Sequence, residues 1–454
     1  MEKKLLHEIY EKIEVPKDEV LDAIKTGKAR ASHNVSKNNK NARKIIWSSV
    51  AAATIFISTS FISPSLSHVM ANVPIIGNVY TTFNDAVGRS LHSQDLITEL
   101  KQTSSYKGID VAITNAYYDG AVVGVTFSVK GNVRTEENGS IQGIYEIFDG
   151  KGGISDSKEL IYMERSENGY IGHIKLSYPK TELPSETSFP LEFKMIGGKE
   201  GSWRFNVPIK QLPYQTVSVD KGTNEKDAGV NIHFDSIIKG KASTAINYTA
   251  TLPIEGKHDQ VRLEVYDDQG KKINISTDGI DLETVEENNR IIVKGRSIIP
   301  RSIKEETSYI EVVPKVALSE NDYFIRLDEA MPVEINAKRQ DLAVEIKNIA
   351  VQDKSITFEF QINNGNNMDK DISFYENFAS NDVSLVKESE KDIYKEPIKH
   401  SVKVTNKKDL KFKSTFDISE INGFSKDNYV IRVNMGLLST NIPVELEKVR
   451  INLN

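Results

Sequence analysis

Cysteine is missing altogether from these 454 residues. Its absence removes disulfides, thiolate zinc sites and a cysteine nucleophile together. Histidine is sparse, at positions 7, 33, 68, 92, 173, 233, 258 and 400, with no metal-ligand spacing. Catalytic signatures are also lacking: there is no Walker loop, GxGxxG, HExxH or GxSxG. Weaker features have plain readings. Gly150-Lys151-Gly152-Gly153 could cradle an anion but suits a hairpin turn better. His233 falls on the polar face of an alternating strand, and Glu283, Glu286 and Glu287 suit a solvated loop. Tyr117 and Tyr118 follow the first alternating run and could stack on a sugar or peptide from a loop, although core or turn placement is the simpler reading. No enzyme, cofactor or metal is expected.

Charge is unevenly spread. The chain carries a net −6, yet residues 1–44 sum to +4 and the rest to −10. The acidic bulk disfavours nucleic acid as a direct partner. Lys25, Lys28, Arg30, Lys37, Lys40, Arg43 and Lys44 form a block without a single carboxylate. Immediately after it comes the only long uncharged run of apolar character, residues 45–63, IIWSSVAAATIFISTSFIS. As a helix these residues would reach about 28 Å at ~1.5 Å each, close to the roughly 30 Å hydrocarbon core of a bilayer. Pro64 would end that helix, and the next formal charge is Asp85. The cations Lys40, Arg43 and Lys44, with Trp47 at the interface, place residues 1–44 in the cytoplasm and the C-terminal bulk outside. A buried core helix is disfavoured by the cationic flank. A cleaved signal peptide is disfavoured by the long preceding tail and the poor cleavage site Val69-Met70-Ala71.

The tail has its own pattern. Leu5, Leu6, Ile9 and Ile13 recur at helical spacing, Pro16 interrupts them, and Val20, Leu21 and Ile24 form a second short stripe that Gly27 stops. Helices this short cannot bury such stripes against each other stably. The stripes therefore point to a partner protein, the alternative being loose contact with the inner leaflet. Beyond the apolar run, Ile76, Tyr80, Phe83, Val87 and Leu91 keep the helix period, predicting a juxtamembrane helix.

From about residue 108 the period changes to two. Ile109-Val111-Ile113, Val230-Ile232-Phe234 and Leu342-Val344-Ile346 each alternate with other residues, and a second alternating run follows each. Each block closes near a proline, Pro208, Pro332 or Pro443, at 99, 102 and 101 residues from its first strand. Alternation implies strands with one buried face, and about 100 residues of short strands is the size of an immunoglobulin-like sandwich. The expected class is mainly β: a short helical cytoplasmic tail (1–44), one transmembrane helix (45–63), a juxtamembrane helical segment (64–104), then tandem β-sandwiches at 105–212, 213–338 and 339–454.

The tail, the apolar run, the segment Ala71-Asn72-Val73-Pro74-Ile75-Ile76-Gly77-Asn78-Val79, Gly108-Ile109-Asp110-Val111 and Tyr117-Tyr118-Asp119-Gly120 together resemble a family of Gram-positive membrane proteins that carry a domain of unknown function. The resemblance is best over about residues 1–130; the later repeats look like appended immunoglobulin-like domains. Members are often encoded beside extracytoplasmic-function sigma factors and are described as anti-sigma-factor-like. The resemblance implies that residues 1–27 bind a sigma factor. The chain departs from zinc-type anti-sigma factors in lacking a His/Cys cluster, and its tail is shorter than a four-helix anti-sigma domain. Two function classes follow: a transmembrane regulator whose ectodomain senses an envelope signal or ligand, or a non-enzymatic surface-binding or structural protein anchored by one helix. The apolar stripe in the tail separates them, because an anchor alone has no need of it.

Overall fold

The computed structural model describes residues 76–147, 158–276, 280–365, 370–391, 398 and 400–453. The expected cytoplasmic tail and transmembrane helix, with Leu5, Leu6, Ile9, Ile13, Val20, Leu21, Ile24, Lys40, Arg43, Lys44 and Trp47, lie outside these residues. So does the glycine-rich turn at 150–153. Among the described residues no helix is long and apolar enough to cross a membrane. The described chain is mainly β, with several antiparallel sheets.

It opens with two short helices, α1 (Ile76–Thr82) and α2 (Ala86–Ser93), rather than the one helix expected. The break has a local cause. Asn84 takes a left-handed φ of 50°, which turns the chain, and Asp85 restarts the helix from an extended conformation. The segment assigned to helix also ends early, because β1 (Thr98–Tyr106) is a strand that pairs with β2 (Ile109–Asp119).

Module 1 continues through β3 (Val122–Gly131), β4 (Ile141–Ile147), β5 (Glu159–Ser166), β6 (Gly169–Ser177), β7 (Glu186–Ile196) and β8 (Lys199–Lys210). These strands form one eight-stranded sheet in the order β1-β2-β3-β6-β5-β4-β7-β8, not two separate sheets. The corner is β5. Its first half, Glu159 to Met163, pairs with β4, and its last three residues pair with β6, so one strand serves both layers. The sheet thereby folds over itself. Trp203 of β8 is fully buried, and its indole N–H donates to the Ile109 carbonyl oxygen at 3.0 Å. Pro208 sits on β8, an edge strand where a missing N–H is tolerated.

Module 2 is a two-sheet sandwich. One sheet has the order β14-β15-β11-β10-β9, built from β9 (Gln215–Glu225), β10 (Val230–Lys239), β11 (Thr244–Pro253), β14 (Ile280–Glu287) and β15 (Arg290–Ile299). The other contains β12 (Gln260–Asp267), β13 (Lys272–Ile273) and β16 (Tyr309–Ala317). Ile232, Phe234 and Tyr248 from the first sheet meet Val265 and Val312 from the second. The glutamates expected in a loop stand on the exposed edge strand β14, where charge discourages pairing with another chain.

Module 3 adds β17 (Tyr323–Arg326), β18 (Val333–Asn336), β19 (Ala343–Val351), β20 (Ser355–Asn363), helix α3 (Ile372–Asn381), β21 (Val383–Lys387), β22 (His400–Asn406), β23 (Lys411–Asp417), β24 (Tyr429–Val433) and helix α4 (Met435–Asn441). A three-stranded sheet, β17-β24-β21, faces a five-stranded one, β18-β19-β20-β23-β22. The two helices depart from the pure sandwich expected. Asp371 caps α3 by accepting from the Ser373 and Phe374 backbone N–H groups, and Tyr375, Phe378 and Ala379 enter the core at helical spacing.

The boundary expected at 338/339 needs the largest correction. β25 (Val444–Glu445) and β26 (Val449–Asn452) do not belong to module 3 but pair with β16 of module 2. Module 3 is therefore inserted into module 2, and the third proline of the sequence period, Pro443, marks the chain's return. Leu446, Val449, Ile451 and Leu453 are buried in the module 2 core. Burying each contributes about 1.5–3 kcal/mol, which together rivals the roughly 5–15 kcal/mol that holds a whole domain folded. A chain ending at residue 443 should thus lose hydrogen-exchange protection at Val265 and Val312 while Phe360 and Ile431 of module 3 keep theirs. Unchanged protection in both modules would refute the insertion.

Candidate functional site

Polar groups cluster where the elements meet, and the first such place joins the helix pair to the sheets. Tyr80, Val87 and Leu91 from α1 and α2 pack with Tyr117, Ala121 and Val122 of module 1 and with Ile238, Ala242, Ala245 and Ile298 of module 2. Inside this apolar contact lies Asp85, wholly buried. Its carboxylate accepts a hydrogen bond from the Tyr117 hydroxyl at 2.8 Å and lies 3.0 Å from His173 Nε2 and 3.7 Å from Lys175 Nζ. Burial alone would raise the Asp85 pKa, but the hydrogen bond and charge of His173, with Tyr117 and Lys175, bring it below the usual carboxylate range. Burial, then the Asp85 charge, pushes the Tyr80 and Tyr117 hydroxyls above the usual phenol range. Two glycines make room for the aromatics. A Cβ at Gly124 would stand 2.1 Å from the Tyr117 ring, and one at Gly88 would stand 2.2 Å from Tyr80 and 2.3 Å from Asp85 Oδ2. Tyr117 and Tyr118 are therefore strand residues of β2 with 2% and 0% exposure, not loop aromatics that could stack on a ligand.

A second joint lies between modules 1 and 2. Asp119, at the end of β2, accepts from the backbone N–H groups of Lys241 and Ala242 at 2.6 and 2.9 Å and from the Ser243 hydroxyl at 2.8 Å. In return Arg296 of β15, fully buried, donates to the carbonyl oxygens of Tyr178, Lys180 and Thr181 at 2.9, 3.2 and 3.2 Å. Desolvation pulls its pKa down to about 10. Modules 2 and 3 are joined by a bidentate pair: Arg339 Nη1 and Nη2 donate to the buried Asp259 carboxylate at 2.7 and 2.6 Å. Asp259 also accepts from the Ser319 backbone N–H at 2.7 Å.

Beside that last joint a cleft of about 750 Å³ opens between modules 2 and 3. Its module 2 wall is the outer face of β12, β13, β16 and β25, with Arg262, Glu264, Lys272 and Lys315. Its module 3 wall includes Asp341, Asn364 and Lys370. Glu264 is paired with Lys272 at 2.8 Å and Lys315 at 3.5 Å, and Lys315 also reaches Glu445 at 3.1 Å. The Lys272 hydrogen bond is the main cause holding the Glu264 carboxyl below its ordinary range.

No group of histidine and carboxylate side chains among the described residues could hold a metal ion. His233 faces outward and is held between Asp220 at 3.0 Å and Asp235 at 2.9 Å, which raise its pKa. Asp85, Asp259, Arg296 and Arg339 carried no sequence signal, because each is defined by a partner from a distant segment, and Asp119 stood out only as part of the Tyr117-Tyr118-Asp119-Gly120 motif.

Comparison with known proteins adds families rather than an activity. Residues 37–131 match a family model described as a domain of unknown function (DUF4179), and residues 214–337 match one described as a family of unknown function (DUF5643). Both domains are present in this chain. The first spans the helix pair and β1 to β3; the second spans β9 to β18 and stops within the inserted module. No curated protein matches the chain. A solved structure titled "The crystal structure of the conserved domain protein from Bacillus anthracis" is similar at 15% identity, covering 51% of this chain and 82% of that one, with a TM-score of 0.36.

Two outcomes follow from these buried polar groups. Asp85→Ala leaves Tyr117 and His173 without their shared acceptor, and breaking a buried pair of this kind costs about 3–5 kcal/mol. The thermal transition should fall accordingly, and an unchanged melt would show that the junction is not structural. The second outcome is pH dependence. The raised folded-state pKa values of Tyr80, Tyr117, Tyr118 and Tyr248, each due first to burial, mean that the unfolded chain releases these protons first. This stabilising difference is complete below about pH 10, the ordinary phenol value, and is lost as pH rises above it. Urea midpoints should drop above that pH, and Tyr→Phe at position 248 should reduce the drop.

Proposed function

We propose that this chain is a single-pass membrane regulator: extracellular β modules sense an envelope signal or ligand, and the cytoplasmic tail restrains an extracytoplasmic-function sigma factor. The observation that carries this reading is the junction at Asp85. The helices that follow the apolar run 45–63 in sequence are bound to module 1 by a buried polar cluster and to both module 1 and module 2 by the apolar contact around it. A merely tethered ectodomain has no need of such a joint, since a flexible polar linker serves as an anchor. A sensor does, because a change among the modules must reach the segment leading to the bilayer. The +4 charge of residues 1–44, the uncharged run and the apolar stripe of the tail support the same orientation and a cytoplasmic partner. The second reading is a non-enzymatic surface protein anchored by the same run, and the cleft between modules 2 and 3 is the feature that favours it.

The tail separates the two. Burial of one Leu or Ile contributes about 1.5–3 kcal/mol, and each ~1.4 kcal/mol is tenfold in affinity. Pull-down with residues 1–44 should retain a sigma factor from a cytoplasmic extract. The Leu6→Asp/Ile9→Asp double variant should lose it by at least about tenfold, whereas Lys37→Gln/Lys40→Gln should retain it. Retention by the apolar double variant equal to wild type, or no sigma factor on either, would overturn the regulator in favour of the anchored surface protein.

A further inference from the structure

We infer that the cleft between modules 2 and 3 binds an oxyanion, a carboxylate or phosphate carried on a polar oligomer, with Arg262 as its principal contact. The argument begins with the cations of the lining. Lys272 and Lys315 are satisfied by Glu264 and Glu445. Arg262 is not: among the described residues its Nη2 reaches only the Gln260 side chain, at 3.3 Å, and its Nε is buried without a hydrogen-bond partner. A guanidinium N–H hidden from water and left unpaired is costly, more so than a neutral donor. A planar fork of this kind matches a carboxylate or phosphate in two parallel hydrogen bonds. On the opposite wall Lys370 has no carboxylate among the described residues; its ammonium lies over the Phe374 ring at 5.4 Å. Arg262 and Lys370 belong to different modules, so an anion engaging both would tie module 3 to module 2.

Size and charge narrow the ligand. A volume of about 750 Å³ falls within the usual range of small-molecule sites and far exceeds one free anion. Asp341 is the one acidic lining residue without an ion pair to a lysine or arginine among the described residues, so the site does not suit a densely charged polyanion, which Asp341 would repel. A molecule with spaced anionic groups and hydroxyls fits, its hydroxyls meeting polar side chains such as Asn274. An acidic oligosaccharide or a polyol phosphate has this chemistry. The inference goes beyond the regulator reading and does not depend on the tail.

Calorimetric titration of the full chain in detergent micelles tests it with three probes: tetragalacturonate, a glycerol-phosphate tetramer, and uncharged maltotetraose. At least one charged probe should bind at one site per chain, with affinity falling as salt rises. Preference between the two charged probes identifies carboxylate or phosphate as the source. Arg262→Gln should weaken binding at least tenfold and Lys370→Gln several-fold, while Lys304→Gln, an exposed lysine paired with Glu306 elsewhere, should leave it unchanged. The melting temperature of Arg262→Gln without probe should not fall, which separates lost recognition from lost folding. Equal binding of maltotetraose, undiminished binding by a folded Arg262→Gln chain, or no binding of either charged probe would overturn the inference.

Discussion

A single carboxylate, that of Asp85, sits where three parts of the molecule converge. Its burial is tolerable because a phenol and an imidazole reach it from β2 and β6 while a lysine stands slightly farther off. The arrangement leaves little slack. Among the described residues Asp85 Oδ1 and His173 Nδ1 are buried without hydrogen-bond partners, so the cluster is only partly satisfied. Partly satisfied polar clusters are sensitive to small displacements, because a slight shift loses bonds that water cannot replace. Gly88 and Gly124 narrow the tolerance further by letting rings approach where any Cβ would collide. The helix pair therefore has one well-defined seat.

The other joints follow the same logic with different chemistry. Arg296 enters module 1 and finds carbonyl oxygens; Asp119 enters module 2 and finds backbone N–H groups and a hydroxyl. Arg339 and Asp259 meet as an ion pair. Buried charges of this kind contribute less net stability than apolar residues of the same volume would, because desolvation offsets their attraction. What they supply is direction. A hydrophobic contact between two β modules permits sliding, whereas a guanidinium among three carbonyl oxygens is correct in one register alone. Apolar cores hold each module together, and buried polar groups fix how the modules meet.

Much of the strand pattern was legible in the sequence. Ile109, Val111 and Ile113 are all buried, as are Ile232, Phe234, Val344 and Ile346. Alternation reports which face of a strand is buried, and it does so locally. It does not report which sheet a strand joins, so the recurrent proline at Pro443 looked like the end of module 3 when it marks the return to module 2. Core placement was the simpler reading of Tyr117 and Tyr118 and holds, but their loop position does not: consecutive aromatics break the alternation, yet both lie on β2, because one side of that strand faces its own module and the other faces the junction. The break at Asn84 was hidden because Ile76, Tyr80, Phe83, Val87 and Leu91 keep the helix period straight through it. The cleft was illegible, since Arg262 and Lys370 line one space only because the module that carries Lys370 is inserted into the module that carries Arg262.

That insertion also has a consequence in time. A ribosome adds about 5–20 residues per second, so residues 319–443 take on the order of ten seconds to follow β16. Throughout that interval β16 presents a bare edge and the module 2 core lies open on one side, and by its end module 3 holds all its own strands. Exposed edges and apolar faces are what neighbouring nascent chains and holding chaperones engage. β25 and β26 thus act as a clasp, and module 2 stays vulnerable until residues 444–453 arrive to close it.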